Sequence, residues 1–343
     1  MKNLLYLCTN DGSDMRVCKE VRTLSQSFNI YYVGSYGDGD SFCKDMCHEY
    51  ITIKGKQKSI LFILKYWFTI LRLFFSTRFT SIHVVEEQLY FVLLPLLFYR
   101  NVTIDIFDSI FLKLDKPKEK LWIIKKIVYG SVKNIIVTDE HRKQLLPSFA
   151  REKAHVIPNV PFSSDFEVKS KNRTSSKLTL FLFGSIAKNR GAQFVSELLD
   201  VDEDVDCVCA GWLADDFSKE FLKRPRVTYL GVTSQYEINH YLAKNDGYLV
   251  AIYPLINLNN VYASPNKIYD AIHTETPLII NKGVLVGDFV AKENIGVICD
   301  TEQNPVDIIR LLLSKKHTFT FSKEHKKFFC WENFEGILRG LHV

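Results

Sequence analysis

The chain has 343 residues, 47% hydrophobic and 24% charged, with a formal net charge of +5. This is ordinary globular composition and excludes disordered and fibrous classes, while the length exceeds what one hydrophobic core usually serves, so two domains of about 150 residues each are expected. The charge is uneven: residues 1–165 carry 23 basic against 17 acidic groups, an excess of +6, whereas 166–343 carry 21 against 22. The first half therefore suits an anionic partner, a phospholipid surface or nucleic acid, unless its charges only form a solvated basic face.

The opening MKNLLYLCTN lacks the basic start and long apolar run of a signal peptide and reads as a buried first strand, so a cytoplasmic protein is expected. Residues 4–7 are followed by a polar loop through Gly12, a helical pattern through Val17, Val21 and Leu24, and a β-branched and aromatic run 30–33 ending at Gly34. Strand, loop, helix, strand is the opening of a parallel sheet. Between Ile51 and Val85 stand six basic residues, Lys54, Lys56, Lys58, Lys65, Arg72 and Arg78, and no acidic one. Within that stretch SILFILKYWFTILRLFF (59–75) is interrupted by Lys65 and Arg72 and falls short of the ~20 residues that span a bilayer. It reads either as a helix lying on an anionic leaflet, with Trp67 dipping in, or as a helix buried against the sheet. Nucleic acid is disfavoured because no reading motif accompanies these charges. Further strands are predicted at 81–85, 102–106 and 134–137, and His155-Val-Ile-Pro158-Asn159 closes the series.

Residues 163–177 (SSDFEVKSKNRTSSK) have the composition of a linker. A second alternating series follows, with strands at 178–183, 205–210, 227–230, 247–252, 277–280 and 295–299, and helices from Gly191, around 236–243 and from Asn266. The expected organisation is an α/β chain with domains 1–165 and 166–325 and a C-terminal helix, 326–343, returning to the first. Open parallel sheets bind ligands at the carboxyl ends of their strands, which puts the expected active site in a cleft between the two. The eight cysteines (8, 18, 43, 47, 207, 209, 299, 330) lack zinc-finger spacing and read as free thiols; Cys43, Cys47 and His48 are the one local metal set, outweighed by plain packing.

Two segments carry chemistry. Leu182-Phe-Gly184-Ser185-Ile-Ala-Lys188-Asn-Arg190-Gly191 runs from strand through glycine loop to helix, where backbone amides and Arg190 suit a diphosphate, although such loops also merely turn. In Tyr262-Ala-Ser264-Pro265-Asn266-Lys267-Ile-Tyr-Asp270, Ser264 reads as N-cap and Pro265 as the first helical residue. Lys267 then opposes the helix dipole, which makes sense if an anion sits there, and Asp270, one turn on, suits a ribose; the alternative is an ordinary i,i+3 ion pair.

These segments occur in order with Asp14-Met-Arg16-Val17, the His155 to Asn159 run, Ala210-Gly211-Trp212, Tyr229-Leu-Gly231, Thr276-Pro277, Asn294-Ile-Gly296 and Trp331. Together they resemble, over nearly the whole chain, the GT-B glycosyltransferases of the retaining group 1 or family 4 type, common in bacterial capsule, O-antigen and lipid-sugar synthesis. The resemblance implies two Rossmann-like domains facing each other across a cleft, a nucleotide-sugar donor, UDP-linked rather than GDP-linked, and a lipid-linked or growing saccharide acceptor. It implies no metal and no cofactor, and a leaving diphosphate that itself assists the attacking hydroxyl. Gly184, Arg190 and Lys267 would contact that diphosphate and Asp270 the ribose. Two departures stand out: of the family's two glutamates eight residues apart the first falls on Tyr262 and the second on Asp270, and its cleft histidine is replaced within Asp105-Ile-Phe107-Asp108-Ser109. The catalytic candidates are Arg190, Lys267 and Asp108, the last to orient the acceptor unless it only caps a loop. The binding candidates are Gly12, Gly184, Ser185, Arg190, Gly211, Tyr262, Ser264, Pro265, Asn266, Lys267 and Asp270. A nucleotide-sugar epimerase and a scaffold that kept the fold without catalysis are the competing expectations, and contact with the inner face of the cell membrane is expected of the first half.

Overall fold

The computed structural model describes residues 1–37, 41–57, 59–98, 100–166 and 177–343. They form two compact units, Met1–Asn159 with Trp331–Val343, and Val160–Cys330. Most of the polar 163–177 stretch, and Lys58, lie outside the described residues.

In the first unit the strands are β1 (Lys2–Leu7), β2 (Phe28–Ser35), β3 (Glu49–Ile53), β4 (Ser81–Val85), β5 (Val102–Ile106), β6 (Asn134–Val137) and β7 (Ala154–Val156). All are parallel, in the order β3-β2-β1-β4-β5-β6-β7, so the strand order reverses between β1 and β4. The central strands are apolar runs because helices cover both faces: Leu4 to Leu7 have no exposed surface. Strand β3 is absent from the sequence reading. Among the described residues it pairs with β2 alone and buries Ile53; Tyr50, Ile51, Thr52 and Ile53 are strand formers, so the strand signal was present in its EYITI.

The helix Met15–Ser25 opens where the Asp14 carboxylate accepts from the amides of Arg16 and Val17. Its buried side chains are both apolar (Val17, Val21, Leu24) and polar (Arg16, Lys19, Glu20, Thr23). The Arg16 guanidinium donates to Asp105 on β5 (3.0 and 2.8 Å), pairs with Glu20 (3.0 Å) and donates to the Ile157 carbonyl (2.8 Å). Glu20 accepts from Tyr6 Oη (2.6 Å) and lies 3.2 Å from His83 Nε2. The last residues of the chain complete this network. His342 hydrogen-bonds Ser81 (2.7 Å) and His83 (3.1 Å), and Trp331, wholly buried, donates its Nε1–H to Thr23 (2.8 Å). Burial pushes His83 down to about 4 and His342 well below the usual imidazole range, so both are neutral at pH 7.

The second unit holds β8 (Leu178–Phe183), β9 (Val205–Ala210), β10 (Val227–Tyr229), β11 (Tyr248–Ala251), β12 (Leu278–Asn281) and β13 (Gly296–Cys299). They are parallel in the order β10-β9-β8-β11-β12-β13, the doubly wound arrangement with its switch point between β8 and β11. One core packs the helices Ala192–Val201 and Pro305–Lys315 on one face, the other packs Lys267–Thr274 on the opposite face.

Replacing Arg16 by Met leaves two buried carboxyls without their cation and is expected to cost about 3–5 kcal/mol, read as a lower urea midpoint for the first unit.

Candidate functional site

The carboxyl edge of the second sheet is built by two loops that continue the β8/β9 pairing. Gly184 follows β8 with φ +97°, and its amide donates to the Ala210 carbonyl (2.8 Å). Nothing lies within 4 Å of where a Cβ on Gly184 would stand, so the space above it is open. Gly211 (φ +126°) faces the other way: a Cβ there would be 1.9 Å from the Gly184 carbonyl oxygen, which only glycine tolerates. The loops stay joined by Ile186 N–H to Trp212 O (2.8 Å), Ala214 N–H to Ile186 O (2.9 Å) and Lys188 N–H to the Asp215 carboxylate (2.7 Å). Ser185 and Arg190 are exposed on this loop, and Gly191 turns the chain into the helix Ala192–Val201. Beside it Trp212 is 62% exposed, and Tyr229, at the end of β10, donates its hydroxyl to the Gly211 carbonyl (2.7 Å).

The Ser264–Asp270 segment differs from expectation at its start. The helix runs Lys267–Thr274, not from Pro265, and Ser264 does not cap it. Ile268 N–H bonds the Pro265 carbonyl (3.1 Å), so a tight i,i+3 turn leads in. The next amide, Tyr269 N–H, also bonds i,i+3 to the Asn266 carbonyl (2.9 Å), and the regular i,i+4 pattern begins with Asp270 N–H to that same carbonyl (3.2 Å), which starts the helix at Lys267. Lys267 is thus the first helical residue, and its Nζ donates to the Val250 carbonyl on β11 (2.7 Å), at the switch point. Burial and the neighbouring Arg190 push Lys267 down to about 8, with Asp270 opposing. The fold therefore brings Arg190, Lys267 and Asp270 into one electrostatic field. Asp270 is buried, and Tyr262 lies half-buried after the short helix Leu258–Val261. A cavity of about 630 Å³ opens nearby between Lys188, Gly191, Tyr253, Asn281, Lys282 and Asp300; the sequence-derived candidates do not line it.

On the first unit, Gly12 is not an open cradle. It is buried, and the Ser41 hydroxyl and Cys43 thiol fill the space where its Cβ would be, so packing explains the glycine. Asp108, after β5, pairs with Lys113 (3.1 Å) and is half exposed, while its backbone N–H donates to Glu86 (3.2 Å). Glu86 is a residue that sequence reasoning missed. It follows β4 with φ +76° and ψ 136°, a backbone conformation costing a non-glycine residue about 1–3 kcal/mol. Its carboxyl is pushed up to about 8, first by burial and then by the charge of Asp108. The signal available in the sequence was the pair Glu86-Glu87 directly after an apolar strand.

No family model and no curated protein matches the chain. Solved structures do. Sucrose-phosphate synthase from Thermosynechococcus elongatus superposes with TM-score 0.70 at 13% identity, over 99% of this chain and 98% of the other. Anabaena Alr3699/HepE in complex with UDP-glucose gives 0.68 at 12%, over 99% of both. The apo lipopolysaccharide outer core galactosyltransferase WaaB gives 0.63 at 12%, again over 99% of both. The fold is GT-B. Among the described residues of this GT-B chain, the histidine, cysteine and carboxylate groups near enough to share an ion are Glu20, His83 and Asp105. Arg16 already supplies their positive charge, so the cluster is a structural network. At the set weighed from the sequence, the Cys47 thiol donates to the Cys43 carbonyl (3.2 Å) and the His48 ring packs on Tyr31 (5.0 Å between centroids).

Since Lys267 titrates lower in the folded GT-B chain than in the unfolded one, the unfolded state holds more protons between about 8 and the ordinary lysine value. Ligand-free stability is expected to rise with pH through that window, and Lys267→Met to flatten the rise, measured by thermal unfolding from pH 7 to 10.

Proposed function

We propose that the chain transfers a sugar from a UDP-linked donor to a lipid-linked or growing saccharide acceptor, with retention of anomeric configuration and without metal or cofactor. The observation that carries this reading is the cluster at the β8/β11 switch point: Lys267 held against the Val250 carbonyl, Arg190 beside it, and open space over Gly184. A lysine at a helix start is opposed by the helix dipole, by its burial and by a second cation, and a bound diphosphate relieves all three. The same charges stabilise that diphosphate as it leaves, which is what the reaction needs of the protein. Asp270 serves the ribose, and the exposed Trp212 offers a flat face to the base. The UDP-glucose complex of the HepE structure supports uridine as the base.

The first unit, in this reading, meets the acceptor at a membrane surface on the cytoplasmic side. No helix among the described residues is long and apolar enough to cross a bilayer. The helix Ile60–Ser76 instead has two apolar stripes. Phe62, Tyr66, Ile70 and Leu73 are buried, while Ile60, Leu64, Phe68 and Phe75 are between 57 and 91% exposed. The helix Trp122–Gly130 adds exposed Trp122, Ile123 and Ile127, and both helices pack on Glu87–Leu97. With Lys54, Lys56, Lys65, Arg72 and Lys126 alongside, this surface suits an anionic leaflet.

A thermal-shift series with UDP, GDP, ADP and CMP is expected to give a shift with UDP alone, lost in Lys267→Ala, whose kcat falls by about two to three orders of magnitude. Product analysis without acceptor separates this from epimerisation, which needs none, and binding without any turnover would favour a scaffold. Sedimentation with phosphatidylglycerol vesicles is expected to be salt-sensitive and weakened when Lys54, Lys56 and Lys58 become Glu; indifference to those changes removes the membrane reading.

A further inference from the structure

The cavity of about 630 Å³ at the carboxyl edge of the second sheet is walled by the second unit alone, and no residue assigned to the nucleotide lines it. Its walls are the turn Lys188–Arg190 with the start of the helix Ala192–Val201, and the segments that follow β11, β12 and β13. The frame is set before any ligand arrives. Asn281 is buried, and its side-chain amide grips the backbone of Tyr253 at both ends, accepting from the Tyr253 N–H (2.9 Å) and donating to the Tyr253 carbonyl (2.9 Å). Gly283 (φ +90°) lies so close to Leu255 that a Cβ would stand 2.6 Å from its side chain, which fixes the same loop a second time. Lys282 N–H donates to the Cys299 carbonyl (2.8 Å) and ties the exit of β12 to β13. The buried members of the lining, Gly191, Phe194 and Ile252, are apolar; the exposed ones include Asn189, Gln193, Asp300 and Glu302. Gln193 donates its amide to the Glu197 carboxylate (2.9 Å), so amide and carboxylate stand side by side.

This lining selects among ligand classes. Its lysines are engaged: Lys282 faces Asp300 (3.6 Å), and the Lys188 ammonium lies 5.8 Å from the centre of the Phe217 ring. Three carboxylates, Glu197, Asp300 and Glu302, outnumber them, so the field disfavours a phosphate. Among the described residues these carboxylates do not come near enough to share a metal ion. An apolar ligand would desolvate the amides and carboxylates without replacing their hydrogen bonds. A neutral polyhydroxylated ring satisfies every condition. Its hydroxyls both donate and accept, as neighbouring amides and carboxylates require, and its C–H faces suit Phe194 and Ile252. We infer that the cavity is a saccharide-binding site for neutral sugar units, and, on the transferase reading, that its occupant is the growing saccharide. The site shares its walls with the nucleotide cluster. Lys188, Asn189 and Gly191 line the cavity, while Arg190, within the same turn, acts on Lys267. Strand β11 likewise runs on into Ile252 and Tyr253 and lends its Val250 carbonyl to Lys267. A saccharide that fixes this turn fixes Arg190 with it, so saccharide and UDP tighten each other by one common factor.

The test titrates maltose, lactose, mannobiose and N,N′-diacetylchitobiose into the full chain by calorimetry, with and without UDP. At least one is expected to bind with a Kd of about 1 mM or below, and to raise UDP affinity about fivefold or more. Gln193→Ala combined with Glu302→Ala changes two exposed side chains; it is expected to leave thermal stability and sugar-free UDP affinity unchanged and to weaken the saccharide at least about tenfold. Lys267→Ala is expected to lose UDP and keep the saccharide. No binding by any of the four, binding that survives the double variant, or displacement of the saccharide by inorganic phosphate overturns the site. Loss of UDP affinity in the double variant also overturns it, because the cavity would then belong to the nucleotide. Saccharide binding with UDP affinity unmoved overturns the coupling. Saccharide binding by a wild type that takes no UDP upholds the cavity while the donor reading fails.

Discussion

The first unit depends on one buried cation. Arg16 joins the helix Met15–Ser25 to β5 through Asp105 and to the segment after β7 through the Ile157 carbonyl, with both partners shut away from water. A buried guanidinium is tolerable only when every donor finds a carboxylate or carbonyl, and the surrounding groups are arranged to provide them. Glu20 supplies a second charge, Tyr6 donates to Glu20, His83 stands 3.2 Å from it, and His342 reaches in from the far end of the chain. The same Asp105 accepts from the Glu86 amide through its carbonyl, so the clamped residue also ties the end of β4.

In the second unit the controlling constraint is closeness of backbone. Gly184 and Gly211 let two loops run side by side beyond the sheet, and no side chain at Gly211 would fit under the Gly184 carbonyl. That contact leaves open space over Gly184 and delivers Arg190 to the flank of Lys267. Without a ligand, Lys267 is a cost: a cation desolvated, at the wrong end of a helix, beside another cation.

The helix Ile60–Ser76 shows why apolar content alone does not assign a surface. One stripe fills the core of the first unit and the other is left to the outside, at a spacing that repeats every turn. The expected burial against the sheet describes one face; the other is exposed.

The sequence by itself determined what depends on local pattern. Apolar runs and the turns between them set two parallel sheets in their chain positions, and Gly184 to Gly191 announced a strand, loop and helix. What it misplaced was equally local: a tight i,i+3 turn at Pro265 and Asn266 starts the helix at Lys267, and the five-residue edge strand β3, though built of strand formers, did not stand out. Only the tertiary structure decided the rest. Gly12 turned out packed under Cys43 rather than open, and of two adjacent glutamates one was buried and saturated while the other was left with a free oxygen. Such differences come from neighbours that are far away in the chain, Cys43, Asp105, Asp108 and Tyr129 among them, and a carboxyl's burial and hydrogen bonds, which set its chemistry, exist only once those neighbours are assembled.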